Sequence, residues 1–192
     1  MRNYLYIWHD SKQKFIITSG ITFKDIASYF GNSSGLILLN HDSENAEFDD
    51  PSRFEYVNQD SVNLLSEEDI YSWGNFCWID YKNNDSFPNL KSQEIAEILY
   101  FGHQHEPLTD VKVIPLNNTF MYYAHDDGWF SKIYYSSWDD VSSLLNTLDL
   151  PFNRSELIND LKISENAFWV SNGTITTEDK TLNIDEILNK YL

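Results

Sequence analysis

The distribution of apolar residues along the chain predicts a β-hairpin at Phe120–Tyr135. Two runs rich in aromatic and β-branched residues flank Asp127-Gly128, a pair favoured at the two positive-φ positions of a type I′ turn. The register of that turn, in which His125 faces Phe130, assigns every side chain to a face. One face carries Phe120, Tyr122, Ala124, Ser131, Ile133 and Tyr135, and the other carries Met121, Tyr123, His125, Phe130, Lys132 and Tyr134. Because both faces are largely apolar, we expect the hairpin to lie centrally, with helices covering at least one face.

Other short apolar runs have the length and composition of strands. They are Tyr4–Trp8, Lys14–Thr18, Gly35–Leu39, Asn75–Lys82, Val111–Pro115, Phe168–Ser171 and Thr174–Thr177. The run Asn75–Lys82 alternates apolar residues between two faces and is expected to pair near the central hairpin. Val111–Pro115 is predicted to be an edge strand, since proline removes a ladder donor.

Helical spacing and capping residues predict the remaining elements. The clearest stripes are Phe23, Ile26, Ala27 and Phe30 after Thr22, then Ile95, Ile98, Leu99 and Gly102 after Ser92, and Val141, Leu144, Leu145 and Leu148 after Ser137. Asp50-Pro51 is typical of an N-cap and first residue, and predicts a short helix through Asn58; Ser66 predicts another helical turn. Further helices are predicted at Ser155–Leu161 and after Asn183. The chain is therefore predicted to be one α+β domain over residues 1–192, a mainly antiparallel sheet with helices packed on it.

Charge is distributed unevenly along the chain. The 30 acidic residues outnumber the 13 lysines and arginines, which gives a formal net charge of −17. Ten carboxylates and the single basic residue Arg53 lie between residues 42 and 69, so this segment alone carries −9. These carboxylates are Asp42, Glu44, Glu47, Asp49, Asp50, Glu55, Asp60, Glu67, Glu68 and Asp69. Such a field repels nucleic acid and anionic membranes and attracts a basic partner.

Cysteine content and the first residues bear on the compartment. The single Cys77 has no second cysteine with which to form an intrachain disulfide, and the first residues lack the apolar stretch of a signal peptide. No apolar run is long enough to span a bilayer. We therefore expect a cytoplasmic location, and nothing in the sequence indicates a cofactor.

Histidines next to aspartates are the main candidates for chemistry. The pairs are His9-Asp10, His41-Asp42 and His125-Asp126. One interpretation is a small metal-dependent hydrolase or nuclease, in which at least two of Asp10, His41, Asp42, His125 and Asp126 would bind one metal ion that acidifies a water molecule. The other is structural, because each pair falls at a predicted strand end, where aspartate makes turns. We favour the structural interpretation and assign no catalytic residue and no metal ligand.

Known catalytic motifs are absent from the sequence. There is no Gly-x-Ser-x-Gly, phosphate-binding glycine loop, Cys-x-x-Cys or His-Glu-x-x-His. His103 and His105 suit a helix end, where a cation favourably meets the helix dipole. Cys77 suits a buried strand position. The aromatic residues have few basic neighbours that could neutralise phosphate, so packing in the core is favoured over stacking on nucleic acid.

Three segments carry a resemblance to known proteins. They are Trp73–Asp80, Glu94–His103 and Ala124–Trp129. These segments, which cover the middle third of the chain, resemble a set of uncharacterised small acidic soluble proteins of Gram-positive bacteria, some of which carry a transporter-like name. In general character the chain is also similar to immunity and inhibitor proteins that neutralise nucleases. Neither resemblance implies catalytic residues.

The leading hypothesis is a non-enzymatic binding protein of the immunity or inhibitor type, of bacterial or phage origin. It would present an acidic surface to a basic partner protein, such as a nuclease or another nucleic-acid-binding protein. The predicted partner-binding residues are Asp42, Glu44, Glu47, Asp49, Asp50, Glu55, Glu67, Glu68 and Asp69, with a second candidate site at the hairpin tip residues His125, Asp126, Asp127 and Trp129. The alternatives are the metal-dependent hydrolase and a structural or assembly subunit held by exposed aromatic residues.

Overall fold

One antiparallel sheet with helices on both faces forms the framework of the protein. The computed structural model describes residues 4–9, 13–19, 22–30, 32–40, 43–68, 74–125, 130–147, 167–171 and 174–176. The strands in this part are Tyr4–His9 (β1), Lys14–Ser19 (β2), Gly35–Leu39 (β3), Glu47–Asp49 (β4), Phe54–Asn58 (β5), Phe76–Tyr81 (β6), Phe120–His125 (β7), Phe130–Tyr135 (β8), Ala167–Ser171 (β9) and Thr174–Thr176 (β10). The α-helices are Phe23–Phe30 (α1), Gln59–Glu67 (α2), Ser92–Gln104 (α3) and Trp138–Thr147 (α4).

The ten described strands run in the order β10-β9-β1-β2-β8-β7-β6-β3-β5-β4. Every neighbouring pair is antiparallel, which confirms the predicted α+β class with an antiparallel sheet. The hairpin β7–β8 lies in the middle of this order, and β6 pairs with β7, both as predicted. The strand β4 is the last in the described order, so the acidic segment lies at one end of the sheet.

The register of the central hairpin is the predicted one. The pairs run from Phe120 with Tyr135 to His125 with Phe130. The turn itself, residues 126–129, lies outside the described residues. The predicted hairpin of β1 and β2 is confirmed, and so are β9 and β10, which pair with each other. The residues between β9 and β10, and the helices predicted at 155–161 and after Asn183, lie outside the described part.

Each face of the sheet carries its own hydrophobic core. On the first face, buried strand residues such as Trp78, Tyr122 and Ile133 pack with residues of α1, α2 and α4. On the second face, buried residues such as Ile79 and Met121 pack with residues of α3. Strand alternation separates the two sets, because successive side chains point to opposite faces. The predicted face assignment of the hairpin is therefore confirmed, and helices cover both faces.

Two helix predictions between residues 50 and 69 are wrong. Residues 50–53 form a turn and Phe54–Asn58 is the strand β5, so no helix begins at Asp50-Pro51. Arg53, the last residue of this turn, has a left-handed backbone with φ of +63°. The residues that follow it contribute side chains to both cores. The helix α2 begins after Asn58, whose side chain caps it at the Ser61 amide, and Ser66 lies near its end.

The edge strand predicted at Val111–Pro115 is also wrong. The buried Asn118 side chain accepts a hydrogen bond from the Val113 amide at 2.7 Å and donates one to the Val111 carbonyl at 2.9 Å. A side chain thus satisfies backbone groups that a neighbouring strand would otherwise bond. A 3₁₀ turn, Ile114–Leu116, follows.

Helix α3 presents the predicted stripe except at Leu99: Ile98 and Gly102 are buried and Ile95 packs against the core, while Phe101 is buried in addition. Leu99 remains 46% exposed. The stripes of α1 and the described part of α4 are as predicted, with Phe23, Ile26, Ala27, Phe30, Val141 and Leu144 buried. Among the described residues, no helix is both long enough and apolar enough to cross a membrane.

Candidate functional site

Eight of the ten carboxylates between residues 42 and 69 lie at the β4 end of the sheet and on the adjoining α2. All of them except Asp60 belong to the predicted partner-binding set. We call this set the acidic edge: Glu44, Glu47, Asp49, Asp50, Glu55, Asp60, Glu67 and Glu68. Asp42 and Asp69 lie outside the described residues. Because β4 pairs with β5, and α2 begins directly after β5, one short chain segment places all eight on neighbouring elements.

Asp49 and Asp50 shape the turn between β4 and β5. The Asp49 carboxylate accepts hydrogen bonds from the Ser52 amide at 2.9 Å and the Ser52 hydroxyl at 2.5 Å. Asp50 pairs with the Arg53 guanidinium at 2.8 Å, and both of these side chains are largely exposed. The Arg53 guanidinium also lies 5.2 Å from the centre of the Phe48 ring. The turn is therefore held by a partly buried pair of hydrogen bonds between Asp49 and Ser52 and by an exposed ion pair.

Glu47 is exposed on β4 and accepts two hydrogen bonds from β5. The Tyr56 hydroxyl donates to it at 2.7 Å and the Asn58 amide at 3.1 Å. The bond to Glu47, followed by burial, raises the pKa of Tyr56 to about 12. Both donors orient the Glu47 carboxylate at the surface without neutralising its charge.

Glu68 links the start of the acidic segment, near Ser43, to the end of α2. Its carboxylate accepts hydrogen bonds from the Ser43 hydroxyl and the Asn45 side chain, each at 2.7 Å. The turn that contains Glu44 is therefore fastened near the end of α2. Glu67 forms an ion pair with Lys24 of α1 at 3.2 Å.

The acidic edge keeps most of its charge. Residues 43–68 contain eight carboxylates and one basic residue, Arg53, which leaves −7. Within the part of the chain that the structure describes, the two ion pairs are Lys24–Glu67 and Arg53–Asp50. All four side chains are more than half exposed, and pairs of this kind contribute little stability. The edge is thus a negative surface held in shape mainly by neutral hydrogen-bond donors.

A groove lies beside the acidic edge, between the turn of β4 and β5 and helix α3. We call it the edge groove; its volume is about 310 Å³, and it is lined by Leu38, Leu39, Asn40, Phe48, Arg53, Phe54, Glu55, Leu99, Gly102 and His103. Phe48 and Leu99 are 52% and 46% exposed, respectively. The Asn40 amide donates to the Gly102 carbonyl at 2.5 Å and so ties the end of β3 to α3. The groove therefore combines exposed apolar side chains, the partly buried Glu55 and a backbone held by the Asn40 hydrogen bond.

The second predicted site, the hairpin tip, is described only at His125. Its Nδ1 lies 2.7 Å from the Tyr123 hydroxyl, and its ring lies 4.6 Å from that of Phe130. The His105 ring stacks on Tyr123 at 4.1 Å. Burial, and then the charges of His125 and His103, lower the pKa of His105. Asp126, Asp127 and Trp129 lie outside the described residues, so the tip as a site stays a prediction.

Of the five residues named for the metal-dependent hydrolase, the structure describes His125. Asp10, His41, Asp42 and Asp126 lie outside the described residues. Among the residues that are described, no three histidine, cysteine, aspartate or glutamate side chains are placed to hold a metal ion together. The assembly-subunit hypothesis also stays a prediction.

Cys77 and Asp80 are two of the buried ionisable groups of β6. Burial raises the pKa of the Cys77 thiol to about 12, so the thiolate that a nucleophile needs is disfavoured. Burial raises the pKa of Asp80, while hydrogen bonds from Phe120, Thr119 and Ser33 oppose that shift. The carboxylate of Asp80 accepts from the Phe120 amide at 2.6 Å and from the Thr119 hydroxyl at 2.8 Å. We interpret the Asp80 carboxylate as a structural acceptor that links β6 to the start of β7.

Sequence reasoning did not predict the edge groove, to which Phe48, Arg53 and Leu99 contribute. The alternation Glu47-Phe48-Asp49 and the run from Phe54 to Val57 are typical of strands, and together they signal a hairpin. Asp50-Pro51, in contrast, is typical of a helix start, so the local patterns conflict at this point of the chain. The exposure of Leu99 has no such signal, because it fits the predicted helical stripe equally well.

No family model, curated protein or solved structure matches this chain.

Proposed function

We propose that this protein is a non-enzymatic binding protein of the immunity or inhibitor type, and that its acidic edge docks on a basic surface of a partner protein. The observation that supports the proposal is the charge of this edge. Eight carboxylates occupy adjoining elements, and two ion pairs are present among the described residues. A nuclease or another nucleic-acid-binding protein is a suitable partner, because its substrate channel carries the complementary positive charge.

The hydrogen bonds of the edge support the same proposal. Tyr56, Ser52 and the pair Ser43 and Asn45 hold the carboxylates of Glu47, Asp49 and Glu68 in fixed positions before any partner arrives. Groups that are already ordered lose less conformational entropy on binding. The same negative field argues against nucleic acid or an anionic membrane as the direct ligand.

A charge-matched pair of variants tests the proposal. The first variant removes three exposed edge charges through Glu44→Gln, Glu47→Gln and Glu67→Gln. The control removes three charges elsewhere through Glu97→Gln, Glu106→Gln and Asp139→Asn, so that both proteins have the same net charge. Each protein, together with the unmodified chain, is used as bait in a bacterial lysate at low and at moderate salt.

We expect the unmodified chain and the control to retain a basic protein at low salt, and the edge variant to lose it. Retention should weaken as salt rises, because exposed charges are screened within about 10 Å at 0.1 M ionic strength. Equal loss in both variants would contradict a role for the edge. Capture that is insensitive to salt, or no captured basic protein, would contradict the proposal as a whole.

We also propose the expected cytoplasmic location. The support is the single cysteine, whose thiol is buried in β6. Secretion of the natural protein into an oxidising compartment, measured by fractionation of the source cells, would contradict this part of the proposal.

A further inference from the structure

We propose that the edge groove receives an apolar side chain from a basic segment of the partner, and that this anchor supplies much of the affinity while the acidic edge supplies the attraction. The inference rests on the proposed function and names the chemistry of the partner segment: leucine-like side chains flanked by lysine or arginine.

The groove has the composition of an anchoring site. Phe48 and Leu99 are among the few large apolar side chains that are strongly exposed in the described part, and both line this one groove. The Arg53 guanidinium packs on the Phe48 ring, and the Leu39 side chain lies next to Gly102 of α3. Apolar anchors that enter a groove and become fully desolvated dominate the binding energy of many interfaces.

Charge selects the flanking residues of the occupant. Glu55 lines the groove with one of its carboxylate oxygens buried. Asp49 ends β4, and Asp50 begins the turn that forms one wall of the groove. The positive charge of Arg53 is already paired with Asp50 at 2.8 Å. A lysine or arginine next to the anchor would therefore meet carboxylates, whereas an acidic segment would be repelled. A second copy of this chain is disfavoured for the same reason, since it would bring another acidic edge to the first.

The sheet edge itself argues for recognition through side chains. The strand β4 has three residues, two of which are carboxylates. Short edge strands that carry charges are a common protection against pairing with another strand. The partner segment is therefore read by the groove and its charged rim, and no added strand is required.

Two labelled peptides of equal charge test the inference. The probes are Lys-Lys-Leu-Leu-Lys-Lys and Lys-Lys-Ser-Ser-Lys-Lys, each with blocked ends, and their binding to the full chain is followed by fluorescence anisotropy. We expect the leucine probe to bind about tenfold more tightly, the effect of one well-buried anchor. Raising the salt concentration should weaken both probes, because both use the acidic edge.

Matched substitutions assign the difference to the groove. Phe48→Ser and, separately, Leu99→Ser should remove most of the preference for the leucine probe. The control is Leu64→Ser on α2, a leucine that is 54% exposed and does not line the groove, which should leave the preference unchanged. Thermal melting of each variant checks that the fold is retained, and the two groove variants lie on different elements, so one remains informative if the other unfolds.

The outcomes separate the two proposals. Equal binding of both probes, with the expected salt dependence, would overturn the anchor and leave the acidic edge supported. A leucine preference that survives both groove substitutions, or is lost in Leu64→Ser, would also overturn it. Failure of both probes to bind at low salt would count against the proposed function itself.

Discussion

The central strands and the acidic edge are stabilised in opposite ways. In β6, β7 and β8 nearly every side chain is buried, and the two faces of the sheet contribute to two separate cores. In β4 the pattern is reversed, since Glu47 and Phe48 are exposed and Asp49 is half-buried. The turn beside β4 is held by a partly buried hydrogen bond of Asp49 and an exposed one of Asp50. Packing fixes the centre, whereas short polar contacts fix the edge.

This difference has a functional meaning. A substitution in the central strands changes packing and lowers the free energy of unfolding, because the interior is densely packed. A substitution among the exposed carboxylates of the edge changes the surface field with little effect on the core. The edge can therefore vary its charges to suit a partner while the centre keeps the fold. Four predictions test the comparison, beginning with β3, the strand that joins the two regions.

Gly35→Ala should have the largest effect. Gly35 begins β3, which lies between β5 of the edge and β6 of the centre. A Cβ here would overlap the Val57 carbonyl oxygen and the Tyr81 ring, both of which are buried. We expect a loss of about 4 kcal/mol in the free energy of unfolding, measured by urea denaturation.

The control for Gly35 is Gly102→Ala in α3. Its Cβ would lie 3.4 Å from Leu39 atoms, an ordinary contact, and alanine favours the helix by about 1 kcal/mol. A change at Gly102 as large as the one at Gly35 would show that close packing at β3 is not the cause.

Asp80→Ala should cost about 3 kcal/mol in the centre, because it removes the acceptor of buried donors on Ser33, Thr119 and Phe120. Asp80→Asn keeps one carbonyl oxygen and should cost less. Urea denaturation of both variants measures the difference. Equal costs would contradict a role for the retained carbonyl oxygen as an acceptor, because asparagine keeps both that oxygen and the volume of the side chain.

Asp49→Ala should cost about 1 kcal/mol, since it removes the acceptor that shapes the edge turn. Asp50→Ala removes only an exposed ion pair and should cost less than about 0.5 kcal/mol. Thermal melting of the two single variants compares them. If Asp50→Ala lowers the melting temperature more than Asp49→Ala does, the turn depends on the ion pair rather than on the hydrogen bonds of Asp49.

The smallest effect concerns pH and His105. Burial lowers the pKa of His105 in the folded state below its ordinary value of about 6.5, so the unfolded state binds more protons. Stability should therefore fall as the pH drops through about 6.5, by less than about 1 kcal/mol because the ring is only partly buried. His105→Asn, chosen because asparagine tolerates the left-handed backbone at this position, should flatten that pH dependence. An unchanged slope of melting temperature between pH 5.5 and 7.5 would contradict this assignment.

Patterns within short stretches of sequence determined the centre of this protein and the placement of its charge. The Phe120–Tyr135 hairpin, its register and its two faces follow from residue period and one turn signal, because pairing across a tight turn is local. The −9 segment is likewise a property of the sequence alone. Signals of this kind need no knowledge of distant contacts.

Only the tertiary structure decided the shape of the edge and the groove. Asp50-Pro51 fits a helix start as well as a turn, and the choice was made by burial of Phe54 and Val57 in opposite cores. Leu99 fits the helical stripe, yet it faces the edge groove because Phe101 occupies the core. Residues that satisfy two local patterns equally are assigned by the packing of elements far apart in sequence, since local preferences of roughly 1 kcal/mol or less are smaller than the burial of one aromatic ring.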